Sequence, residues 1–162
     1  MKKLLSKLVL LICIFSLSSC ITIHNKFEHY RDIDQLDSIK IYYIDSYYNP
    51  YYNENEDLFR HVETINDDRH VDLINDLEGL EYKDIIPIFA PSDPNFNLHG
   101  FVIKILYDTG DYQLVSNSGA VYTYDISSGY SNFIGIVEQE IWSNLLIKYI
   151  GEDLYNIYST NK

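Results

Sequence analysis

The sequence predicts an α+β domain in which an antiparallel sheet of about four to six strands packs against two amphipathic helices. Three patterns indicate this class: a block of three strands and two tight turns over 101–124, an apolar stripe at helical spacing over 138–150, and a shorter helical pattern over 67–78. After residue 37 no stretch of linker-like composition divides the chain. We therefore predict one domain over 38–162, with a loose tail from about residue 152.

The first strand is predicted at 38–48. Ile39, Ile41 and Tyr43 alternate there with polar or amphipathic residues, and this period of two places successive side chains on opposite faces of a sheet. The dipeptide Asn49-Pro50 at the end of the run favours a turn. The acidic, polar residues that follow are predicted to form a loop.

The first helix is predicted at 67–78. Asp67 and Asp68 suit its first turn, where carboxylates interact favourably with unpaired N–H groups. Apolar residues then recur every three residues, and Gly79 follows as a natural helix end. A short extended piece over 81–89 and a loop over 90–99 are predicted to come next.

The three-stranded meander over 101–124 is the clearest strand signal. Its turns fall at Gly110 and Gly119, since glycine adopts positive φ without a steric penalty. A further strand at 133–137 is predicted to lead into the last helix. The apolar stripe of that helix consists of Ile141, Trp142, Leu145, Leu146, Tyr149 and Ile150.

The first twenty residues form a distinct leader. Lys2, Lys3 and Lys7 precede an apolar run over 8–17, which is shorter than the roughly 20 residues of a membrane-spanning helix. A basic start, a short apolar run and small residues before a break are typical of a cleaved export signal. The run ends in Leu17-Ser18-Ser19-Cys20.

This ending resembles the lipobox of bacterial lipoproteins. The resemblance implies that the Cys20 thiol receives a diacylglyceryl group, that residues 1–19 are removed, and that Cys20 becomes the N-acylated first residue. It also implies attachment to the extracytoplasmic side of the cell membrane. Residues 20–37 are then the lipidated cysteine and a tether, which as a flexible coil would reach about 20–25 Å.

Charge and cysteine content exclude two classes of function. Loss of the three leader lysines takes the formal net charge from -12 to -15, and so acidic a chain repels nucleic acid. Cys13 is removed with the leader, so Cys20 is the only cysteine left. The predicted domain therefore has no disulfide and no thiol for catalysis or metal binding.

Tyrosines and asparagines cluster between residues 42 and 55. Tyrosine gives rigid, amphipathic contact area and is enriched in interfaces, although alternate tyrosines on a strand also fill a core. We assign a candidate surface for a protein or glycan partner to Tyr42, Tyr47, Tyr48, Tyr51, Tyr52 and Phe96.

No catalytic residue, metal ligand or cofactor site is assigned from the sequence. His61, His70 and His99 lack the spacing of a zinc motif, and paired carboxylates such as Asp67 and Asp68 fit helix starts. The leading hypothesis is a non-enzymatic binding or interaction module at the cell envelope. The alternatives are a small envelope hydrolase that uses histidines and carboxylates, and an acidic immunity or inhibitor protein for a basic partner.

Overall fold

The structure, a computed structural model, confirms the α+β class. It describes residues 24–50, 56–83, 98–116, 120–134 and 137–160. The predicted leader, the lipobox and Cys20 lie outside these residues. In the described part of the chain, a six-stranded antiparallel sheet and a two-stranded antiparallel sheet accompany three α-helices.

The strands are β1 (His24–Lys26), β2 (Leu36–Tyr48), β3 (Phe59–Ile65), β4 (Glu81–Lys83), β5 (Leu98–Tyr107), β6 (Tyr112–Ser116), β7 (Ala120–Asp125) and β8 (Gly129–Ile134). The helices are α1 (His70–Glu78), α2 (Gln139–Ile150) and α3 (Glu152–Ser159). The large sheet has the order β3-β2-β5-β6-β7-β8, and β1 pairs with β4. Strand β5 thus returns to the free side of β2 before the meander continues outward.

The main core lies between one face of the large sheet and the helices. Ile39, Ile41 and Tyr43 are buried in it, which confirms the alternation predicted for β2. Helix α1 contributes Leu73, Ile74 and Leu77. Five residues of the predicted α2 stripe are buried, namely Trp142, Leu145, Leu146, Tyr149 and Ile150. The inclusion of Ile141 in that stripe is wrong, because its side chain is 48% exposed. We call this the helix-covered face.

The opposite face is apolar over part of its area, which the sequence did not lead us to expect. A second core cluster there consists of Ile44, Tyr48, Leu98, Val102, Leu114 and Tyr122. Consecutive residues of β5 are therefore buried on both faces, as the burial of Val102 and Ile103 shows. The remaining part of this second face is only half-buried, and it carries the candidate site described below.

Several element boundaries differ from the prediction. The first helix begins as a 3-10 turn, Asp67–Arg69, before α1. Strand β5 starts at Leu98, within the predicted loop, and β8 starts at Gly129 rather than at 133. Strand β3 was not predicted at all. The rest of the predicted 81–89 piece beyond β4 lies outside the described residues.

The prediction of a loose C-terminal tail is wrong. Residues 152–159 form helix α3, whose Leu154, Tyr155 and Tyr158 pack against the main core. The Tyr155 ring stacks on Phe101 with 5.3 Å between centroids. The tail is ordered because its apolar residues fall three and four apart and so line one side of a helix.

The interpretation of 20–37 as a tether is also wrong from His24 onward. Strand β1 pairs with β4, from His24 opposite Lys83 to Lys26 opposite Glu81. Phe27 is only 1% exposed and belongs to the main core. Ile33 and Leu36 also pack against this core, so the apolar residues of the described part of this segment belong to the fold.

Gly151 lies between α2 and α3 with φ +81° and ψ 157°, a conformation nearly exclusive to glycine. We expect Gly151→Ala to lower the free energy of unfolding by roughly 1–3 kcal/mol, because an added Cβ meets no atom within 4 Å and the cost is purely conformational. The measurement is urea unfolding followed by circular dichroism. Gly79→Ala is the control, since Gly79 has φ -74°; equal losses in the two variants would contradict this account.

Candidate ligand-binding face

The half-buried part of the second sheet face carries two lysines in direct opposition. Lys40 in β2 is the register partner of Lys104 in β5, and both side chains are half-buried. The ammonium nitrogen of Lys104 lies 4.6 Å from the centroid of the Tyr112 ring, close enough for a cation–π interaction. Like charges directly opposite each other tend to destabilise a strand pair, and the contact with the Tyr112 ring offsets part of this cost at Lys104.

Aromatic rings flank the lysine pair on both sides. Tyr42 follows Lys40 on the same face and contacts the Phe59 and His61 rings edge-on, at 5.4 and 5.7 Å between centroids. On the other side, Tyr112 stacks on Tyr124 at 5.0 Å with 23° between planes. We call the set Lys40, Tyr42, Lys104, Tyr112 and Tyr124 the lysine–tyrosine face.

The register places no carboxylate on this face in the described strands. Every second residue of a strand lies on this face. In β2 these are the alternate residues from Ser38 to Ile44, and in β5 those from Val102 to Leu106. In β6 and β7 they include Tyr112, Leu114, Tyr122 and Tyr124. In a chain with 24 acidic residues, the only ionised side chains at these positions are lysines. Exposed acids are found on the helices, for example Asp72, Glu140 and Asp153, and also at strand ends and turns, for example Asp45 and Asp108.

The tyrosines singled out from the sequence divide between core and surface. Tyr42 lies on the lysine–tyrosine face. Tyr47 is 76% exposed and its ring lies 5.4 Å from that of His99. Tyr48 is 2% exposed and packs edge-on against Phe59, so its assignment to a surface is wrong. Tyr51, Tyr52 and Phe96 lie outside the described residues.

A polar network that sequence reasoning missed joins the N-terminal segment to two hairpin turns. Arg31 donates through Nε to Oδ2 of Asp111 at 2.9 Å, and its Nη2 lies 2.7 Å from the same oxygen and 3.3 Å from Oδ2 of Asp125. The Tyr30 hydroxyl donates to Asp125 as well. We call Tyr30, Arg31, Asp111 and Asp125 the N-terminal clasp.

The two carboxylates of the clasp accept several hydrogen bonds from groups of the protein itself. Asp111 is fully buried, and the pKa of its carboxyl is held below the ordinary 3.8 by the Ile126 N–H, the Thr109 hydroxyl and Arg31, against the opposing effect of burial. The Ser127 hydroxyl, followed by that of Tyr30, lowers the pKa of Asp125. Groups with this many internal partners serve the fold, and we assign them no ligand.

The main chain beside the clasp is held by two buried side chains. The Tyr30 N–H donates to Oε1 of Gln113 at 3.0 Å, and the Gln113 amide donates to the Glu28 carbonyl at 3.0 Å. The Tyr107 hydroxyl donates to Gln113 at 2.7 Å. The N-terminal segment is therefore fixed by main-chain bonds in addition to the ion pairs.

The three histidines considered from the sequence have separate surroundings. His61 lies on edge strand β3, bonded to the Thr64 hydroxyl at 2.9 Å, while His70 is buried against the Ile65 carbonyl at 3.0 Å. His99 contacts Tyr47. A histidine not singled out, His29, lies 2.5 Å from a carboxylate oxygen of Glu78 and ties the N-terminal segment to the end of α1.

Comparisons with known proteins give no relative: no family model, no curated protein and no solved structure matches this chain. Within the described ranges, no set of three or more histidine, cysteine, aspartate or glutamate side chains is placed to hold a metal ion. None of the helices described here combines the length and the apolarity needed to cross a membrane. Any function must therefore be argued from the surface itself.

Proposed function

We propose that this chain is a lipid-anchored lipoprotein of the cell envelope whose domain is a non-enzymatic binding module. The observation that carries the binding role is the lysine–tyrosine face. It combines rigid aromatic area with paired positive charge on an otherwise acidic domain. Aromatic side chains with polar tips are enriched where proteins meet their partners.

Attachment through Cys20 is the second half of the proposal, and it rests on the lipobox resemblance. Each buried methylene of an acyl chain contributes roughly 0.8 kcal/mol, and one chain alone holds a protein only marginally. A diacylglyceryl group places two chains on one residue, which is sufficient for stable attachment.

Replacement of Cys20 by serine tests the anchor. We expect Cys20→Ser to move the protein from the membrane pellet to the soluble or secreted fraction almost completely, since the serine hydroxyl does not accept the lipid. Cell fractionation with immunoblotting measures the shift, and mass spectrometry of the N-terminal peptide reports the lipid directly.

The matched control is Cys13→Ser, which alters the other cysteine within the apolar run of the leader. It should leave membrane attachment unchanged. The anchor proposal fails if Cys20→Ser stays in the pellet, or if both serine variants are released equally.

Capture from the native envelope tests the binding role. The immobilised protein is expected to retain envelope material, and Lys40→Gln with Lys104→Gln to reduce what is retained. Equal retention by the wild type and this double variant would exclude the lysine–tyrosine face as the binding surface.

A further inference from the structure

We propose that the domain docks directly on the lipid bilayer through one end of its large sheet. This end, which we call the clasp end, carries the N-terminal clasp and the turns 108–111 and 126–128. It exposes the side chain of Ile126 and the ring of Tyr30, and both would lie at the boundary between headgroups and acyl chains. The inference rests on the proposed lipid anchor and adds a second contact with the membrane.

Ile126 is 67% exposed in the turn between β7 and β8. Turns are mostly built from glycine, proline and small polar residues, so an exposed isoleucine is unusual there. Asp111 accepts a hydrogen bond from the Ile126 N–H at 2.9 Å, and Asp125 accepts those of Ser127 and Ser128 at 2.7 and 2.9 Å. The turn is therefore held by the fold, and it presents an apolar side chain on a fixed backbone.

Tyr30 adds an amphipathic ring beside this turn. Its hydroxyl donates to Asp125, the residue directly before Ile126, and the guanidinium of Arg31 lies over its ring at 4.6 Å. On the other side, Cδ1 of Ile126 lies 3.8 Å from the position that a β-carbon on Gly110 would take. Aliphatic side chains and tyrosine rings at one edge of a protein are typical of contact with a membrane interface.

The N-terminal segment joins the fold at this same end. His29 bonds to Glu78 at the end of α1, and Tyr30 and Arg31 belong to the clasp. Strand β1 pairs with β4, which follows α1 closely in the chain. A lipid at the start of this segment would therefore hold the clasp end near the bilayer, and this is the observation that identifies the occupant.

Distances along the chain support this orientation. The chain spans at most about 14 Å from Cys20 to His24 and about 21 Å from His24 to Tyr30. Strand β2 begins at the clasp end with Leu36, and Ser46 lies ten residues further, about 33 Å away along the strand. The bilayer would thus lie beside Ile126 and far from the opposite end of the sheet.

The contact should depend on the anchor. A single acyl chain holds a protein only marginally, and one isoleucine buries less apolar surface than that. A tether, however, supplies a high effective concentration of lipid. Exposed Asp32, Asp34 and Asp108 lie at the clasp end, where the Asp108 N–H donates to the Gln35 carbonyl at 2.9 Å. Lipid without net charge therefore suits this surface better than anionic lipid.

The experiment measures how close the 126–128 turn comes to lipid in the full-length, lipidated protein reconstituted in phosphatidylcholine vesicles. Ser128→Cys places a thiol in the turn and leaves Ile126 intact. A lipid on Cys20 blocks its thiol and Cys13 leaves with the leader, so the new cysteine takes a fluorophore selectively. We expect strong quenching of this fluorophore by phosphatidylcholine that carries a nitroxide on its acyl chain.

Ser46→Cys is the matched control, because it makes the same substitution at an exposed position at the opposite end of the sheet. Its fluorophore should be quenched several-fold less. Ile126→Ser, added to Ser128→Cys, should remove most of the quenching while the protein still floats with the vesicles. The urea midpoint should stay unchanged, since Ile126 is exposed.

Three outcomes would overturn the inference while the protein floats with the vesicles: no quenching at Ser128→Cys, equal quenching at Ser46→Cys, or full quenching after Ile126→Ser. Flotation in these cases would leave the lipid anchor intact. A protein that carries no lipid by mass spectrometry and does not float would refute the anchor, and the docking with it.

Discussion

Replacement of Trp142 by alanine is expected to lower the free energy of unfolding by about 3–5 kcal/mol. Trp142 is 1% exposed and lies in the main core on α2. Its removal takes away a large apolar contact and leaves a cavity that the surrounding helices and sheet can only partly fill. A domain of this size is stable by roughly 5–15 kcal/mol, so the variant should lose a large share of its stability.

Trp142→Phe separates packing from hydrogen bonding. Among the described residues, the indole N–H of Trp142 has no acceptor although it is buried. Phenylalanine removes this unpaired donor, and the stability gained in this way offsets part of the stability lost with the contact area. We therefore expect the free energy of unfolding to change by no more than about 1 kcal/mol. Urea unfolding followed by circular dichroism measures all three proteins, since fluorescence loses its only tryptophan. Equal losses in both variants would contradict the packing argument.

Loss of the N-terminal clasp is expected to lower the stability of the fold, and the size of this effect depends on pH. The pKa values of Asp111 and Asp125 are lowered in the folded chain from the ordinary 3.8. Their ionised forms therefore stabilise the fold fully above about pH 5. The stabilisation is lost as pH falls below 3.8 through the folded-state pKa values, because the unfolded chain then binds more protons.

The Asp111→Asn, Asp125→Asn double variant is expected to be less stable at pH 7 and to lose less further stability on acidification. At neutral pH it leaves Arg31 without its anionic partners. The measurement is the urea midpoint as a function of pH between 7 and 3. Asp108→Asn, an exposed change in the same turn as Asp111, should follow the wild type. If the urea midpoint of the double variant falls with decreasing pH as steeply as that of the wild type, the clasp does not contribute to the pH dependence of stability.

The elements that sequence reasoning predicted well are those set by local patterns. The alternation of Ile39, Ile41 and Tyr43 matches their burial in β2. The stripe of α2 matches its buried face except at Ile141, which is exposed. Gly110 does adopt φ +88° in the first turn of the meander. Each of these features depends on residues that are close in sequence, so periodicity and turn chemistry were sufficient.

Strand β3 was missed because its period of two is broken. Its apolar residues Phe59, Val62 and Ile65 are spaced three apart, which fits neither face of a regular strand. The register with β2 shifts between Ile41 and Tyr42, and such a bulge inserts one extra residue. Phe59 therefore packs with the second cluster, whereas Val62 and Ile65 pack with the main core.

The candidate site depends on register, which one sequence does not contain. Lys40 and Lys104 are visibly polar positions within apolar strands, but only the pairing of β2 with β5 shows that they oppose each other. The N-terminal clasp joins residues about 80 and 94 positions apart. In contrast, helix α3 carried a usable signal, since Leu154, Tyr155 and Tyr158 already show helical spacing.

The early start of β1 limits how far a lipidated domain would travel from its membrane. With a lipid on Cys20 and strand β1 beginning at His24, the chain between these two residues spans at most about 14 Å. This maximal length is shorter than the 20–25 Å expected of a flexible coil over 20–37. If Cys20 carries the proposed lipid, the domain would stay within a thin layer above the headgroups, and it would encounter partners by diffusion in the plane of the membrane.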